Sequence, residues 1–382
     1  MSIKLALVGV GQFAQYFIPL FKAHPLVREL MLCDLDATKL RAAAEKFGVT
    51  RTFPSLEAAL NAEVDAVAIM TQHWLHAPQA VQALHAGKHV YSAVPVGLTL
   101  DEIRSVIRAV EATGRIYMMG ETSYYYPHVI YCRELHRRGG FGHVTYTEAS
   151  YYHDWDIVNT YAQIKARAGD RFLELAGSPP MHYPSHTISQ VVSLLGAHMT
   201  KAACLGWKDR HADGIYDPRV NRDQNPYSNE TALFAMSDGS VSRINEFRRV
   251  GHPGGELMSV YGTEAGFEYT QAGAVLIGKD FAQTTRLDEQ LRINPGRHGG
   301  TALVQPVDRL PREFAALGNE HKGSHQFLVD DFVRACVSGE QPPVNVWAAA
   351  RYLTPGLAAH ESAMQGGVQV DVTDLGPPPC PA

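Results

Sequence analysis

The sequence contains no apolar run approaching the ~20 residues that a membrane-spanning helix requires, so no membrane partner is expected. It has no basic surplus either. The formal net charge of its 382 residues is −5 at pH 7, which argues against nucleic acid as a partner. Its cysteines, Cys33, Cys132, Cys204, Cys336 and Cys380, include no C-x-x-C pair and are odd in number. That pattern fits reduced thiols rather than a disulfide scaffold. The opening MSIKLALVGVGQ lacks the apolar core and small-residue cleavage site of a secretory signal, and the expected location is cytoplasmic. Neither H-x-x-E-H nor H-E-x-x-H occurs among the 18 histidines. His153, His182, His186 and Glu121 could supply N and O donors, but with no ligand spacing no metal is expected.

What is present is ordinary globular composition, 45% hydrophobic and 19% charged, on a chain long enough for two domains. Through Glu121 short apolar strands alternate with helical segments: IKLALVGV, LVRELMLCD, VDAVAIMT, HVYSAV and RIYMMGE are separated by stretches such as DATKLRAAAEKFG and APQAVQALHAG. This alternation predicts right-handed βαβ units and a parallel sheet. Beyond it, longer alternating segments such as HVTYTEASYYH and ETALFAMSDGSVSRINEFRR, joined by turns like SDGS, predict a largely antiparallel sheet. Residues 205–230 and 283–320 read as long irregular loops, and helices return near the end. The expected fold class is α/β followed by α+β. Residues 1–122 are expected to form the parallel-sheet domain, 123–372 a mainly antiparallel sheet domain whose last helices pack back near the cleft, and 373–382 a flexible tail.

Directly after the first strand, LALVGVGQFAQYF carries Gly9-x-Gly11-x-x-Ala14. Glycines there allow a tight turn and close approach of backbone to a pyrophosphate, and the following helix start offers free N–H groups. Gly9, Gly11, Gln12, Phe13 and Ala14 are the candidate phosphate-binding turn. The second strand ends at Asp34, whose carboxylate can accept from a ribose 2′-hydroxyl and would repel a 2′-phosphate; the cofactor read from this is NAD. A helix cap shared with Asp36 is the plainer role for Asp34. Thr71, His73 and His76 in TQHWLH follow the third strand, and Ala93, Val94 and Pro95 follow the fourth; both turns are candidate cofactor contacts.

Ala93-Val94-Pro95 has no side chain able to carry a proton, which directs attention to other groups. Tyr183 and His186 stand three apart in HYPSH, at the start of an apolar helix. Tyr151 and His153 share one face of a strand in SYYHD. Imidazole can serve as acid or base near neutrality, and tyrosine needs a nearby cation or hydrogen bonds to act as a base. Glu121, ending the fifth strand, could bind a sugar hydroxyl or orient an imidazole. His186 could instead be a buried structural histidine, Tyr183 a core aromatic, the Tyr151/His153 pair an exposed sheet face and Glu121 a helix cap.

GVGQFA, Asp34, TQHWLHAPQAVQALHAGKHV, the AVP turn, SVYGTEAGFEY and GSHQFLVDDFVRACVSGEQP together resemble the Gfo/Idh/MocA family of nicotinamide-dependent oxidoreductases. That resemblance implies a Rossmann domain joined to an open-faced α/β domain, and hydride transfer at a hydroxyl-bearing carbon of a sugar or cyclitol. The family's usual turn is Glu-Lys-Pro, with the lysine moving the hydroxyl proton; here Val94 holds the lysine position. One branch, the NAD-dependent α-N-acetylgalactosaminidase-type glycoside hydrolases, also has valine there, and YMMGETS, ASYYHDWD and MHYPSHTISQ resemble its segments. It implies catalytic roles for His186, Tyr183, His153, Tyr151 and Glu121, and glycosidic cleavage in which NAD is regenerated. A net sugar or cyclitol dehydrogenase and a non-catalytic NAD- or sugar-binding regulatory protein are the alternatives. The expected partners are a small carbohydrate and further copies of the chain, as a dimer or tetramer assembled through the C-terminal sheet.

Overall fold

A computed structural model describes residues 2–378. The first six strands are β1 (Ile3–Val8), β2 (Val27–Cys33), β3 (Thr52–Phe53), β4 (Ala66–Ile69), β5 (His89–Ser92) and β6 (Tyr117–Met119). They pair in parallel in the order β3-β2-β1-β4-β5-β6. The order reverses between β1 and β4, the point at which doubly wound sheets bind ligands beyond the strands' carboxyl ends. Strands this apolar are expected where helices cover both faces; Ala66–Ile69 is buried throughout. The helix Ala14–Ala23 buries Ala14, Phe17, Ile18, Leu20 and Phe21. The helix Ala37–Phe47 starts on Asp36, whose side chain accepts from the N–H groups of Thr38 and Lys39 at 3.0 and 3.1 Å.

The second sheet has nine strands: β7 (Val144–Tyr152), β8 (Met199–Lys208), β9 (Tyr227–Met236), β10 (Val241–Phe247), β11 (Gly255–Gly262), β12 (Ala265–Thr270), β13 (Gly273–Gly278), β14 (Thr285–Arg286) and β15 (Val370–Asp371). Its order is β14-β13-β12-β11-β7-β10-β9-β8-β15. All pairs are antiparallel except β7 with β10, so the sheet is mixed rather than purely antiparallel. The helix Ser185–Leu195 packs against β7, β10 and β11. It buries polar Ser185, His186, Thr187, Ser189 and Gln190 along with its apolar residues.

The chain divides into two compact units, and not at residue 122. One comprises Met1–Ile130, Glu289–Ala350 and Leu375–Ala382; the other comprises Tyr131–Asp288 and Arg351–Asp374. The return of 289–350 to the first unit is driven by the helix His325–Ser338. Its Phe327, Leu328 and Phe332 join Phe17, Phe21 and Tyr91 in one core, and Phe327 stacks on Tyr125 with ring centroids 5.1 Å apart. Residues 155–181, given no structure from sequence, contain the short helices Thr160–Ala168 and Phe172–Ala176. Of the tail expected to be flexible, Asp374 is held by Arg351, whose Nε and Nη2 both donate at 2.9 Å; 379–382 lie outside the described residues. Among the described residues no helix is long and apolar enough to cross a membrane.

Candidate active-site residues

The predicted cofactor contacts gather at the carboxyl ends of β1, β2, β4 and β5 in the first unit. Gly9 has φ +91°, and a Cβ there would meet the Met70 carbonyl oxygen at 2.8 Å, so this turn requires glycine. Around Gly11 a Cβ would meet nothing within 4 Å; the backbone is open to a ligand. Gln12 is exposed and Phe13 half-buried, with its ring against Phe17 at 5.1 Å. Asp34 Oδ2 accepts from the Val10 N–H at 2.9 Å, and Oδ1 from the Asp36 N–H at 2.9 Å. The carboxylate therefore braces the glycine turn, and its remaining lone pairs can accept from a ligand hydroxyl. Asp36, not Asp34, supplies the helix cap. An open glycine approach beside an acidic strand end fits a dinucleotide of the NAD type.

The β4 and β5 turns carry less side-chain chemistry. His76, expected to line the cofactor site, is 1% exposed. Its Nδ1 and Nε2 lie 2.9 and 3.1 Å from the carbonyl oxygens of Pro95 and Thr71, tying the two turns together. Burial holds its pKa below the ordinary histidine value against the pull of both carbonyls. Its ring thus braces the two turns expected to contact the cofactor. Thr71 donates its hydroxyl to Gln79 Oε1 at 2.6 Å, and His73 is exposed at the start of the next helix. Ala93 and Val94 are buried, and the Val94–Pro95 peptide is cis. Glu121 also belongs to this unit. It is fully buried, and its Oε1 accepts from the Ser123 N–H at 3.0 Å, capping the turn Thr122–Tyr125. The cap role weighed for it is realised.

The other four predicted residues meet in the second unit. Tyr151, the penultimate residue of β7, stacks on His153 with ring centroids 4.6 Å apart and meets His186 edge-on at 5.6 Å. Tyr183 meets His186 at 5.3 Å. The strand alternation delivers this: Tyr152 turns to the other face, against Phe247 and His252. Tyr183 follows the short turn Pro180–His182 rather than lying in the helix, and His186 is in that helix's first turn.

The surroundings sort the protonation states. Burial, and then the charge of Glu256, raise the Tyr151 pKa well above the usual phenol value, so Tyr151 is a hydrogen-bond donor at neutral pH. Burial, and then the charges of Arg248 and His186, push His153 down to about 3. The Trp155 indole N–H lies 3.2 Å from His153 Nδ1. A neutral ring that accepts at Nδ1 carries its hydrogen on Nε2, which makes His153 a donor toward its neighbours and not an acid that loses charge.

Sequence reading missed three glutamates behind this cluster. Glu230, Glu246 and Glu256 are buried, and Arg248 is 1% exposed. The signal was available: Glu230 and Glu246 fall in the same two-residue phase as buried Ala232, Phe234 and Ile244, where a charge is out of place unless it is paired. The arginines of EFRR are both buried: Arg248 bonds Glu246, and Arg249 bonds Asp156, Asp209 and Asp213. Among the described residues no group of three or more His, Cys, Asp or Glu could hold a metal ion.

Residues 3–121 match a family model described as an oxidoreductase family with an NAD-binding Rossmann fold, Gfo/Idh/MocA. Over 332 residues, 82% of this chain and 75% of the relative, the sequence is 30% identical to an alpha-N-acetylgalactosaminidase of Bacteroides fragilis. The chain belongs to the Gfo/Idh/MocA oxidoreductases. A glycosyl hydrolase family 109 protein of Shewanella amazonensis is 31% identical over 206 residues, 51% of this chain. That alignment spans 45% of the relative's length. A levoglucosan dehydrogenase in complex with NADH superposes with a TM-score of 0.77 at 17% identity, covering 98% of this chain and all of that one. The likeness shows a shared fold, and residues 3–121 are the family's NAD-binding Rossmann domain.

Proposed function

We propose that this enzyme cleaves a glycosidic bond in a carbohydrate by a redox-assisted route that leaves NAD regenerated after each turnover. The observation that carries the reading is the Tyr151–His153–Tyr183–His186 cluster, in a chain whose Ala93-Val94-Pro95 turn has no proton carrier. Bound NAD supplies a reversible hydride acceptor, and an oxidised ring carbon makes its neighbour acidic. The protein is left with the proton moves: off the ring hydroxyl, off the acidified carbon, and onto the departing oxygen. Tyr151, held as a phenol, suits donation to the departing oxygen. His153, neutral and donating from Nε2, suits holding a sugar oxygen. His186, edge-on to both tyrosines, is the group suited to take and return the proton at carbon, and Tyr183 beside it the group suited to receive the ring hydroxyl proton and give it back when the hydride returns.

Asp34 and the exposed Leu35 beside it support NAD over its 2′-phosphorylated form. Asp34→Ala is expected to lower NAD affinity about tenfold and to narrow the preference for NAD over NADP, read by fluorescence titration with each nucleotide. An unchanged ratio removes Asp34 from ribose binding. The whole reading is tested with a panel of nitrophenyl glycosides. Nitrophenol release in excess of enzyme, with no accumulating NADH, supports it. NADH rising in step with consumption of free sugar would make the enzyme a net dehydrogenase.

Leu205, Trp207, Leu233 and Val241 are exposed on one face of the second sheet, which supports self-association through that face. Buried thiols at Cys33, Cys132 and Cys204 fit a reducing, cytoplasmic setting.

A further inference from the structure

Four strands place a row of functional groups side by side on the inner face of the second sheet. Glu230 on β9 pairs in register with Glu246 on β10, Glu246 with Tyr151 on β7, and Tyr151 with Glu256 on β11. Glu246, in the middle, is fully buried. Its Oε2 accepts from Arg248 Nη1 and Nη2, both at 3.1 Å, and its Oε1 from the Thr187 hydroxyl at 2.6 Å. Arg248 Nη2 also donates to the Pro180 carbonyl at 3.1 Å. The pair thus grips the segment 180–187 at both ends, and between those ends lie Tyr183 and His186. Arg248 also sits 5.8 Å from the Tyr151 ring centroid.

Such a pair needs a reason. Burying two charges costs desolvation energy that their attraction often fails to repay, and apolar replacements are frequently as stable. We propose that Glu246 is a positioning residue that, through Thr187 and Arg248, holds Tyr183 and His186 in place and couples the protonation of His186 to its own. The groups facing it are Arg248 on its own strand, Glu230 from β9, Tyr151 from β7, and Thr187 and His186 from the helix. Burial pushes the Glu246 carboxyl up to about 7, against the downward pull of Arg248, the Thr187 hydroxyl and the His186 charge.

The Thr187 hydroxyl provides the coupling. It lies 2.9 Å from the Pro184 carbonyl as well as 2.6 Å from Glu246, and it has one hydrogen. With Glu246 ionised, that hydrogen goes to the carboxylate. With Glu246 protonated, the carboxyl can donate to the Thr187 oxygen and the hydroxyl can turn to Pro184, two residues before His186. Proton uptake at Glu246 therefore rearranges the bonds at the helix start that carries His186, and removes the negative charge that favours a protonated imidazole.

The inference rests on the proposed reaction for its kinetic arm and is independent of it in its spectroscopic arm. In full-length protein, Glu246→Gln keeps an acceptor for Thr187 and Arg248 and removes the titration. With a nitrophenyl glycoside that the native enzyme turns over, kcat is expected to fall by roughly 10–100-fold with KM within about twofold. The limb of the kcat profile near neutral pH should move or flatten. In ¹⁵N-histidine NMR, the His186 resonance, assigned from its loss in His186→Gln, should titrate about half a unit or more lower in Glu246→Gln. Thr187→Val, which removes one hydroxyl, should shift both readouts in the same direction by less, and it serves as the test if the glutamine variant does not fold. A purely structural role predicts a lower melting temperature with the pH profile and the His186 titration unmoved, and that result overturns the proposal. If no glycoside is turned over, the NMR titration alone decides.

Discussion

Replacing His186 with glutamine is expected to lower glycoside turnover by about 10³-fold while NAD still binds with native affinity. Glutamine fills a similar volume, and its amide neither gains nor loses a proton across the working pH range. Positioned acid–base groups commonly contribute roughly 10²–10⁴-fold. The upper half of that range applies because the neighbours cannot substitute. Tyr151 is held as a phenol by burial and by Glu256, and His153 stays neutral down to about 3. The candidate pyrophosphate and ribose contacts are Gly9, Gly11 and Asp34 and not His186, so the loss should fall on turnover. Stopped assays for turnover and fluorescence titration for NAD check both halves. Turnover within fivefold of native would remove His186 from the chemistry.

Gly9→Val should abolish NAD binding, weakening it by at least about 100-fold, and lower the stability of the first unit. The position has φ +91°, where a β-branched residue is strained by roughly 1–3 kcal/mol. The added Cβ would also come within 2.8 Å of the Met70 carbonyl oxygen and 3.1 Å of Thr71 Cγ2. That oxygen is backbone at the end of β4, so it cannot swing aside as a flexible side chain would. Relief requires the glycine turn to move, and with it the Val10 N–H that Asp34 holds. Gly11→Ala is the contrasting case: nothing stands within 4 Å of its Cβ, so folding should be unaffected. Isothermal titration with NAD and thermal melts of both variants separate a folding defect from a binding defect.

The first sheet was legible because each strand is a short apolar run followed by an amphipathic helix, and local pattern decides such units. The return of 289–350 to the first unit was not legible. The contacts of Phe327 and Phe332 with Phe17, Phe21 and Tyr91 span more than two hundred residues, and no local period records which core a helix will join. In the candidate site, Tyr151 and His153 could be paired from strand alternation, and HYPSH pointed to His186. Glu246 escaped because charged residues on strands are usually solvated, and only its phase with Ile244 marks it as buried. Both ring nitrogens of His76 meet backbone carbonyls and Glu121 Oε1 meets a backbone N–H, contacts that composition cannot reveal.

The most direct measurement is hydrolysis of a turned-over nitrophenyl glycoside in D₂O, with the sugar product analysed by NMR and NADH followed in the same cuvette. The account predicts deuterium at C2 of the product, release of many nitrophenols per enzyme, and no net NADH. Product without deuterium at C2 would contradict it, because direct displacement at the glycosidic carbon leaves the neighbouring C–H intact.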